Sequence, residues 1–146
     1  MSDFAGNVSD DVPDWGGGVG ARRLVRAEGG TLNASLWEFA PGAAQFVYHF
    51  HHGSEEMLVV LRGTPTVRMH DGDHVLREGD VVPFPRGVAG GHQVRNDGEE
   101  VARVLIVAAN TNPDVAEYES GKLAAIVDGE HRFFRTGDAV GHGGPE

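Results

Sequence analysis

Three histidines and two glutamates lie within one short stretch of the chain, Tyr48 to Glu56. His49 and His51 are two residues apart, so on one strand both side chains leave the same face. Glu56 lies five residues beyond His51, which suits a shared site only if the intervening residues 52–55 turn the chain. Imidazole and carboxylate groups are common ligands of divalent transition metals. The stretch therefore predicts part of a metal site whose remaining ligand comes from elsewhere in the chain.

The composition limits both the ligand chemistry and the partners. The chain of 146 residues has no cysteine, which excludes disulfides, thiolate nucleophiles and cysteine-based zinc sites. Its formal net charge is −10 and its twelve basic residues are scattered, so neither nucleic acid nor an anionic membrane is an expected partner. Residues 1–20 lack the features of a signal peptide, and no stretch reaches the length of a membrane span. We expect a soluble cytoplasmic protein.

Short apolar runs separated by turn signals dominate the chain from residue 31 onward. They recur about every ten residues without a helical period, a pattern typical of an all-β antiparallel sandwich or barrel. The expected strands are residues 31–39, 45–51, 57–61, 65–69, 74–76, 80–84, 92–95, 101–108 and 123–127. Twenty-two glycines fit a fold that is rich in turns.

The two ends of the chain are expected to lie outside the barrel. Residues 1–20 are rich in aspartate and glycine and predict an irregular N-terminal arm. Within that arm Trp15 is the residue expected to dock on the body or on a neighbouring subunit, the alternative being an exposed terminus. Residues 21–128 are predicted to form the barrel. Residues 129–146 are predicted to form a C-terminal tail that packs outside the barrel or across a dimer.

Two motifs in the central region resemble those of the cupin superfamily. They lie within residues 42–63 and 79–96 and consist of His49, His51, Glu56 and Gly63, then Gly79, Pro85, Gly87, His92 and Asn96. The resemblance covers residues 31–110 and implies a double-stranded β-helix, or jelly-roll, barrel. The loop between Gly87 and His92 is longer than in the motif, and we expect it at the mouth of the pocket.

The resemblance also implies the missing ligand. In cupins with this pattern, three histidines and one glutamate, here His49, His51, Glu56 and His92, hold one divalent metal ion inside the barrel. Burying these groups without compensation would cost several kcal/mol, which a bound cation offsets. The gap to the motif glycine favours Glu56 over Glu55. Iron, manganese, nickel, zinc and copper all suit such a site, and the pattern does not select one.

Strand parity with the ligands predicts the wall of the substrate pocket. The interior positions are Gln45, Val47, Leu58, Val60 and Val94, a largely apolar set with one amide. Such a wall favours a weakly polar substrate or dioxygen chemistry, so the first hypothesis is a metal-dependent, oxygenase-type enzyme acting on a small molecule. A redox-neutral isomerase or lyase, and a non-catalytic metal-dependent binding or sensor protein, stay open as alternatives. The resemblance further implies a homodimer, for which exposed edge strands give a physical motive.

Overall fold

Antiparallel β-strands make up almost all of the regular structure. The structure, a computed structural model, describes residues 6–26 and 30–143. The strands in these ranges are β1 (Val19–Arg26), β2 (Leu32–Phe39), β3 (His49–His51), β4 (Glu55–Arg62), β5 (Thr66–Met69), β6 (Gly72–Val75), β7 (Val81–Phe84), β8 (Gln93–Arg95), β9 (Ala102–Ala109), β10 (Asp114–Tyr118), β11 (Lys122–Val127) and β12 (Glu130–Arg135). The helical segments are two 3-10 turns, Val88–Gly90 and Thr136–Asp138. The predicted all-β class is confirmed.

The strands form two walls that enclose one interior. One wall is a five-stranded sheet in the order β1-β2-β9-β4-β7. The other consists of the sheets β12-β11-β10-β3 and β6-β5-β8, which isolated backbone bridges join, among them one between His49 and His92. All strand pairs are antiparallel, as the jelly-roll arrangement requires. The histidine pair therefore lies at the seam between the two smaller sheets.

The apolar core fills one end of the space between these walls. Leu58 and Val60 of β4, Val94 of β8 and Val104 of β9 are at most 1% exposed and pack in a single cluster. Each fully buried side chain of this kind contributes about 1.5–3 kcal/mol of hydrophobic stabilisation. The interior residues of β4 alternate along the strand, so Glu56 shares a face with Leu58 and Val60 but lies nearer the strand's start. This placement leaves the polar groups at the other end of the barrel.

Turn chemistry sets where the strands of the first motif end. Gly63, which follows β4, has a φ of +80°, and an added Cβ would lie 2.8 Å from the Val101 carbonyl oxygen. Only glycine combines that backbone conformation with such a close approach. The motif glycine is therefore explained by the turn itself, without any contact with a ligand.

The ends of the chain contribute more regular structure than the sequence pattern predicts. β1 begins at Val19 and pairs with β2 along the edge of the large sheet, and β12 lies within the expected tail and pairs with β11. Trp15 packs edge-on against Trp37 at a ring separation of 5.4 Å. Residues 1–5 of the expected arm and 144–146 of the expected tail lie outside the described residues. Within 6–26 and 30–143, no helix is long and apolar enough to cross a membrane.

Candidate metal centre

Three short elements bring the predicted ligands together. His49 and His51 lie on β3, Glu56 lies at the start of β4, and His92 immediately precedes β8. The backbones of His49 and His92 exchange two hydrogen bonds, of 3.2 Å and 3.0 Å between nitrogen and oxygen, which fixes the second motif against the first. The predicted turn between His51 and β4 is present. The tetrad of His49, His51, Glu56 and His92 thus forms from segments far apart in sequence.

The side chains of the tetrad converge on Glu56. Its Oε2 lies 3.4 Å from His92 Nε2, and its Oε1 lies 3.9 Å from His51 Nε2. The His49 ring lies 4.8 Å from the His92 ring and 5.4 Å from the His51 ring, measured between centroids. His92 is 1% exposed and stacks flat on Phe84 at 3.6 Å. The carboxylate therefore has an imidazole nitrogen near each of its oxygens.

The other ring nitrogen of each histidine is already engaged. Nδ1 of His49 donates to the Val47 carbonyl at 3.0 Å, and Nδ1 of His92 donates to the Gly90 carbonyl at 2.8 Å. Nδ1 of His51 donates to the Asp114 carboxylate at 2.8 Å. A proton held on Nδ1 leaves the Nε2 lone pair free, which is how histidines that bind metals are usually oriented. All three rings are therefore prepared to donate Nε2 to a shared ion.

Burial and mutual charge alter the acidity of the tetrad. Burial, together with the nearby His92 and His51 rings, lowers the pKa of His49 to about 4, although the Val47 contact and Glu56 act against this. Burial alone would raise the pKa of Glu56, but the nearby imidazoles of His92, His51 and His49 outweigh it, and the pKa is lowered. At neutral pH the site thus offers a neutral imidazole at His49 and an ionised carboxylate, the protonation states that metal ligands require.

The donor set fits a divalent cation. Nε2 of His92 is buried without a hydrogen-bond partner among the described residues, an arrangement that costs free energy unless another group occupies that position. Within 6–26 and 30–143, no group of three or more histidine, cysteine, aspartate or glutamate side chains already has the geometry of a metal-ligand set. Ligand atoms on bonds of about 2.1 Å lie about 3.0–3.4 Å apart. The His92–Glu56 distance meets that range, and the His51–Glu56 distance exceeds it by roughly half an ångström.

A cavity of about 310 Å³ opens beside the tetrad and reaches two of its members. It is lined by Trp15, Ala21, Arg23, Asn33, Ser35, Trp37, Gln45, His49, Glu56, Ile106, Ala108 and Asn110. Arg23 is the cation of this lining and Glu56 its carboxylate. Besides His49, the rest of the lining is divided between four amide or hydroxyl side chains and five apolar ones. The cavity is more polar than strand parity predicts, because β1 and β2 supply residues that the parity argument did not include.

The residues predicted for the pocket wall occupy different places. Gln45 lines the cavity and is 8% exposed. Leu58, Val60 and Val94 face the interior as parity requires, but they lie deeper and belong to the apolar core. Val47 lies outside the cavity lining and is 37% exposed. Residues 45–48 precede β3 without joining its ladder, so the alternation assumed for them does not apply.

His52 and Glu55 adjoin the predicted ligands in sequence but make their contacts outside the tetrad. His52 Nε2 lies 2.6 Å from Glu117 Oε2 on the outer side of β3 and β10, with its side chain 52% exposed. Glu55 lies 3.9 Å from Arg86 at the surface. The structure therefore brings Glu56 rather than Glu55 to the imidazoles. Tyr118 of β10 stacks on His49 at 5.4 Å between ring centroids.

Two contributions to the site have no local signal in the sequence. Asp114 lies 63 positions from His51, and its other oxygen accepts the backbone N–H groups of Gly53 and Ser54 at 2.9 Å and 3.2 Å. Arg23 reaches the cavity from β1. The two adjacent arginines of this strand interrupt its alternation of apolar and polar residues. Only the strand order β1-β2-β9-β4 places Arg23 near the tetrad, and that order is a property of the fold.

Comparisons with known proteins give a family match and structural matches. The Cupin domain family matches residues 35–108. A sugar phosphate isomerase of the cupin superfamily from Silicibacter pomeroyi superposes with a TM-score of 0.75 at 25% identity, over 84% of this chain and 79% of that one. A provisionally assigned sugar phosphate isomerase from Acidithiobacillus ferrooxidans gives a TM-score of 0.70 at 29% identity, over 77% of this chain and 72% of that one. No curated protein matches the sequence.

Proposed function

The chain belongs to the cupin family, and on that premise we propose that it is a metal-dependent enzyme that isomerises a small, sugar-like substrate without net oxidation or reduction. The observation that carries the proposal is the cavity, which combines polar and apolar side chains and reaches His49 and Glu56 of the tetrad. Cupin structures support several reaction classes, so the choice among them depends on the cavity and its chemistry.

The character of the wall favours the isomerase over the oxygenase-type hypothesis. The oxygenase-type hypothesis depends on an apolar pocket wall. The amide, hydroxyl and guanidinium groups of Asn33, Gln45, Ser35 and Arg23 instead suit a substrate with many hydroxyl groups. Two structurally similar proteins are themselves named as sugar phosphate isomerases. An oxidoreductase and a non-catalytic binding protein become alternative outcomes of the test.

The residues of the chain have separable roles in this proposal. A divalent ion held by His49, His51, Glu56 and His92 would supply a Lewis acid that polarises a substrate oxygen. Gln45, on the adjacent wall, would orient a hydroxyl group beside the tetrad. The faces of Trp15 and Trp37 offer apolar surface to the sugar carbons. Because the cavity lies inside the barrel, these residues would also limit the access of water to the bound substrate.

The test follows aldose and aldose phosphate substrates by proton NMR in heavy water, with metal-loaded protein, in air and under anaerobic conditions. We expect interconversion of aldose and ketose at the same rate in both atmospheres, because isomerisation consumes no oxygen. A chelator should abolish the activity, and restored divalent ion should recover it. Oxygen consumption coupled to product would identify an oxygenase. Tight binding without turnover across the substrates would identify a binding protein.

Neighbouring histidines provide a matched pair of variants for this assay. His51→Ala should lower metal content and turnover by at least about tenfold, since it removes a ligand. His52→Ala, one position away, should retain both, because its ring contacts Glu117 outside the tetrad. Equal losses in the two variants would contradict the assigned ligand set. A cytoplasmic location stays a prediction, and the ligand set does not select one metal.

A further inference from the structure

We infer that the β1–β2 side of the cavity is an anion-binding subsite, in which Arg23 binds the phosphate of a phosphorylated sugar, while Asn33 of β2 and Gln45 of the segment before β3 bind its hydroxyl groups. The inference rests on the proposed function, because it specifies the substrate class of that same cavity. In this subsite the substrate would lie with its reacting carbons at the tetrad and its phosphate at β1.

Arg23 and its neighbour Arg22 differ in their ionic contacts among the described residues. Within residues 6–26 and 30–143 it has no carboxylate within ion-pair distance, whereas the adjacent Arg22 lies 3.6 Å from Asp10. The register between β1 and β2 shifts between Arg23 and Val25. Such a bulge changes the direction of neighbouring side chains and is common beside binding sites. Arg23 lies opposite Ser35 of β2 just before this shift and lines the cavity with it, while Arg22 pairs with Asp10.

The distance between Arg23 and the tetrad suits an extended small molecule. β1 is separated from β4 by β2 and β9, and three interstrand steps of about 4.8 Å put their backbones within roughly 14 Å of each other. Side chains from both strands shorten this span. The cavity volume of about 310 Å³ lies at the small end of the range for ligand pockets. A single phosphorylated sugar fits these limits better than a nucleotide or a polymer.

Two side chains that line the cavity, one from each wall, carry buried oxygens without a donor among the described residues. Asn33 Oδ1 and Gln45 Oε1 are buried without a partner among the described residues, and Gln45 as a whole is 8% exposed. Buried polar atoms in native proteins are nearly always paired, by a ligand or water if not by protein. A phosphate dianion has only acceptor oxygens, so it cannot satisfy them, whereas sugar hydroxyls can. The cavity thus separates a position for negative charge from positions for hydroxyl groups.

Intrinsic fluorescence gives a direct readout of this cavity. The chain has two tryptophans, and both line it. Metal-loaded protein would be titrated with ribose 5-phosphate and glucose 6-phosphate, each beside its unphosphorylated sugar and its aldonate, and with inorganic phosphate. We expect the phosphorylated sugars to bind most tightly. Arg23→Gln should weaken their binding by at least about tenfold, the size of a charge-assisted hydrogen bond, and leave the neutral sugars within about twofold.

Arg22→Gln is the matched control, since it removes the same charge from the next residue of the same strand. It should leave every affinity within about twofold of the unmodified protein. Equal weakening by both variants, or equal affinity for sugars with and without phosphate, would overturn the subsite. Tighter binding of the aldonate than of the phosphate would also overturn it and identify a carboxylate ligand. Inorganic phosphate bound alone, with no effect of Arg23→Gln, would show an adventitious ion only.

The outcomes separate this inference from the proposed function. Phosphate-dependent binding that needs Arg23, without aldose–ketose turnover, would support the subsite and contradict the isomerase. Turnover of unphosphorylated sugars that is insensitive to Arg23→Gln would support the isomerase and contradict the subsite.

Discussion

The acceptor on each Nδ1 determines what the histidines of the tetrad can bind. Two of these acceptors are backbone carbonyls, and the third is the Asp114 carboxylate, which also accepts from the turn after β3. Burial raises the pKa of Asp114, but its contacts with Ser54, His51 and Gly53 outweigh this effect, and the pKa is lowered. Asp114 therefore holds the orientation of His51 and the position of the turn with one ionised group.

Asp114→Asn tests this positioning role. The amide retains one acceptor oxygen for the turn but presents an N–H₂ group where His51 Nδ1–H needs an acceptor. We expect metal affinity to fall by about 10–100-fold, the usual effect of losing such a partner. Isothermal titration with a divalent metal, on protein first stripped by a chelator, measures the change.

Glu117→Gln provides the control for Asp114→Asn. Its carboxylate pairs with His52 from the same strand, β10, in a contact of similar length. Metal affinity should stay within about twofold in this variant. A comparable loss in both variants would show that carboxylates along β10 act through general stability rather than through His51.

The tetrad was largely predictable at this scale, whereas its surroundings were not. His49 and His51 carry a strand parity signal, and the motif spacing added Glu56 and His92, which the structure brings together. Their role as metal ligands stays a prediction. Asp114 and Arg23 could not be predicted, because nothing in their local sequence distinguishes them from other surface charges. Only the pairing of β10 with β3, and of β1 with β2, gives them a place at the site.

At the scale of elements, the enlarged loop before β8 is built around close backbone contact. An added Cβ on Gly90 would overlap the carbonyl of Pro85, and the Gly90 carbonyl accepts the proton of His92 Nδ1. Displacement of this loop would therefore move a predicted ligand. The longer loop lies between the second motif's Pro85 and His92, where its packing affects the tetrad directly.

Gly90→Ala should destabilise the protein by about 1–3 kcal/mol, because backbone rather than a flexible side chain must yield to the added methyl group. It should also reduce metal affinity through the shifted His92. Urea denaturation of the metal-free protein measures the first effect and metal titration the second. Gly137→Ala is the control, since an added Cβ there meets nothing within 4 Å. Unchanged stability in Gly90→Ala would contradict the tight packing of the loop.

Most strands of the central region followed from apolar runs and turn residues, and their departures have physical causes. β1 was not expected because Arg22 and Arg23 and the following bulge interrupt its alternation. β12 was not expected because all six of its residues are exposed. The segment expected as strand 45–51 is reduced to His49–His51, since the preceding residues make only an isolated bridge at Ala44. Sequence patterns predict edge strands poorly, because burial does not constrain the residues on both faces of such strands.

At the scale of the whole molecule, β12 offers an edge for the homodimer that the sequence predicts. It is the edge of its sheet, and Phe133 and Phe134 are 58% and 54% exposed on its opposite faces. Antiparallel pairing about a two-fold axis between Arg132 and Phe133 would put Glu130 of each copy opposite Arg135 of the other. This charge complementarity favours the homodimer expected from the sequence over an unrelated partner.

Arg135→Glu should raise the dimer dissociation constant by about tenfold, because it replaces two attractive pairs with two repulsive ones. Analytical ultracentrifugation over a dilution series measures the change. Combining Glu130→Arg with Arg135→Glu should restore association, since the pairs then re-form with reversed sign. A monomer at all concentrations, or a dimer unaffected by either variant, would contradict pairing through β12.

β10 lies between the strand that carries His51 and the two strands that end at the β12 edge. It is bonded to β3, which carries His51, along one edge and to β11, the neighbour of β12, along the other. Metal at the tetrad and a second copy at β12 would then act on one continuous sheet from opposite sides. Any coupling between them is reciprocal: if metal tightens association, the dimer binds metal more tightly than the monomer, so dilution that dissociates the dimer weakens metal binding. The affinity of this protein for its ion would then be a property of the dimer and would vary with protein concentration.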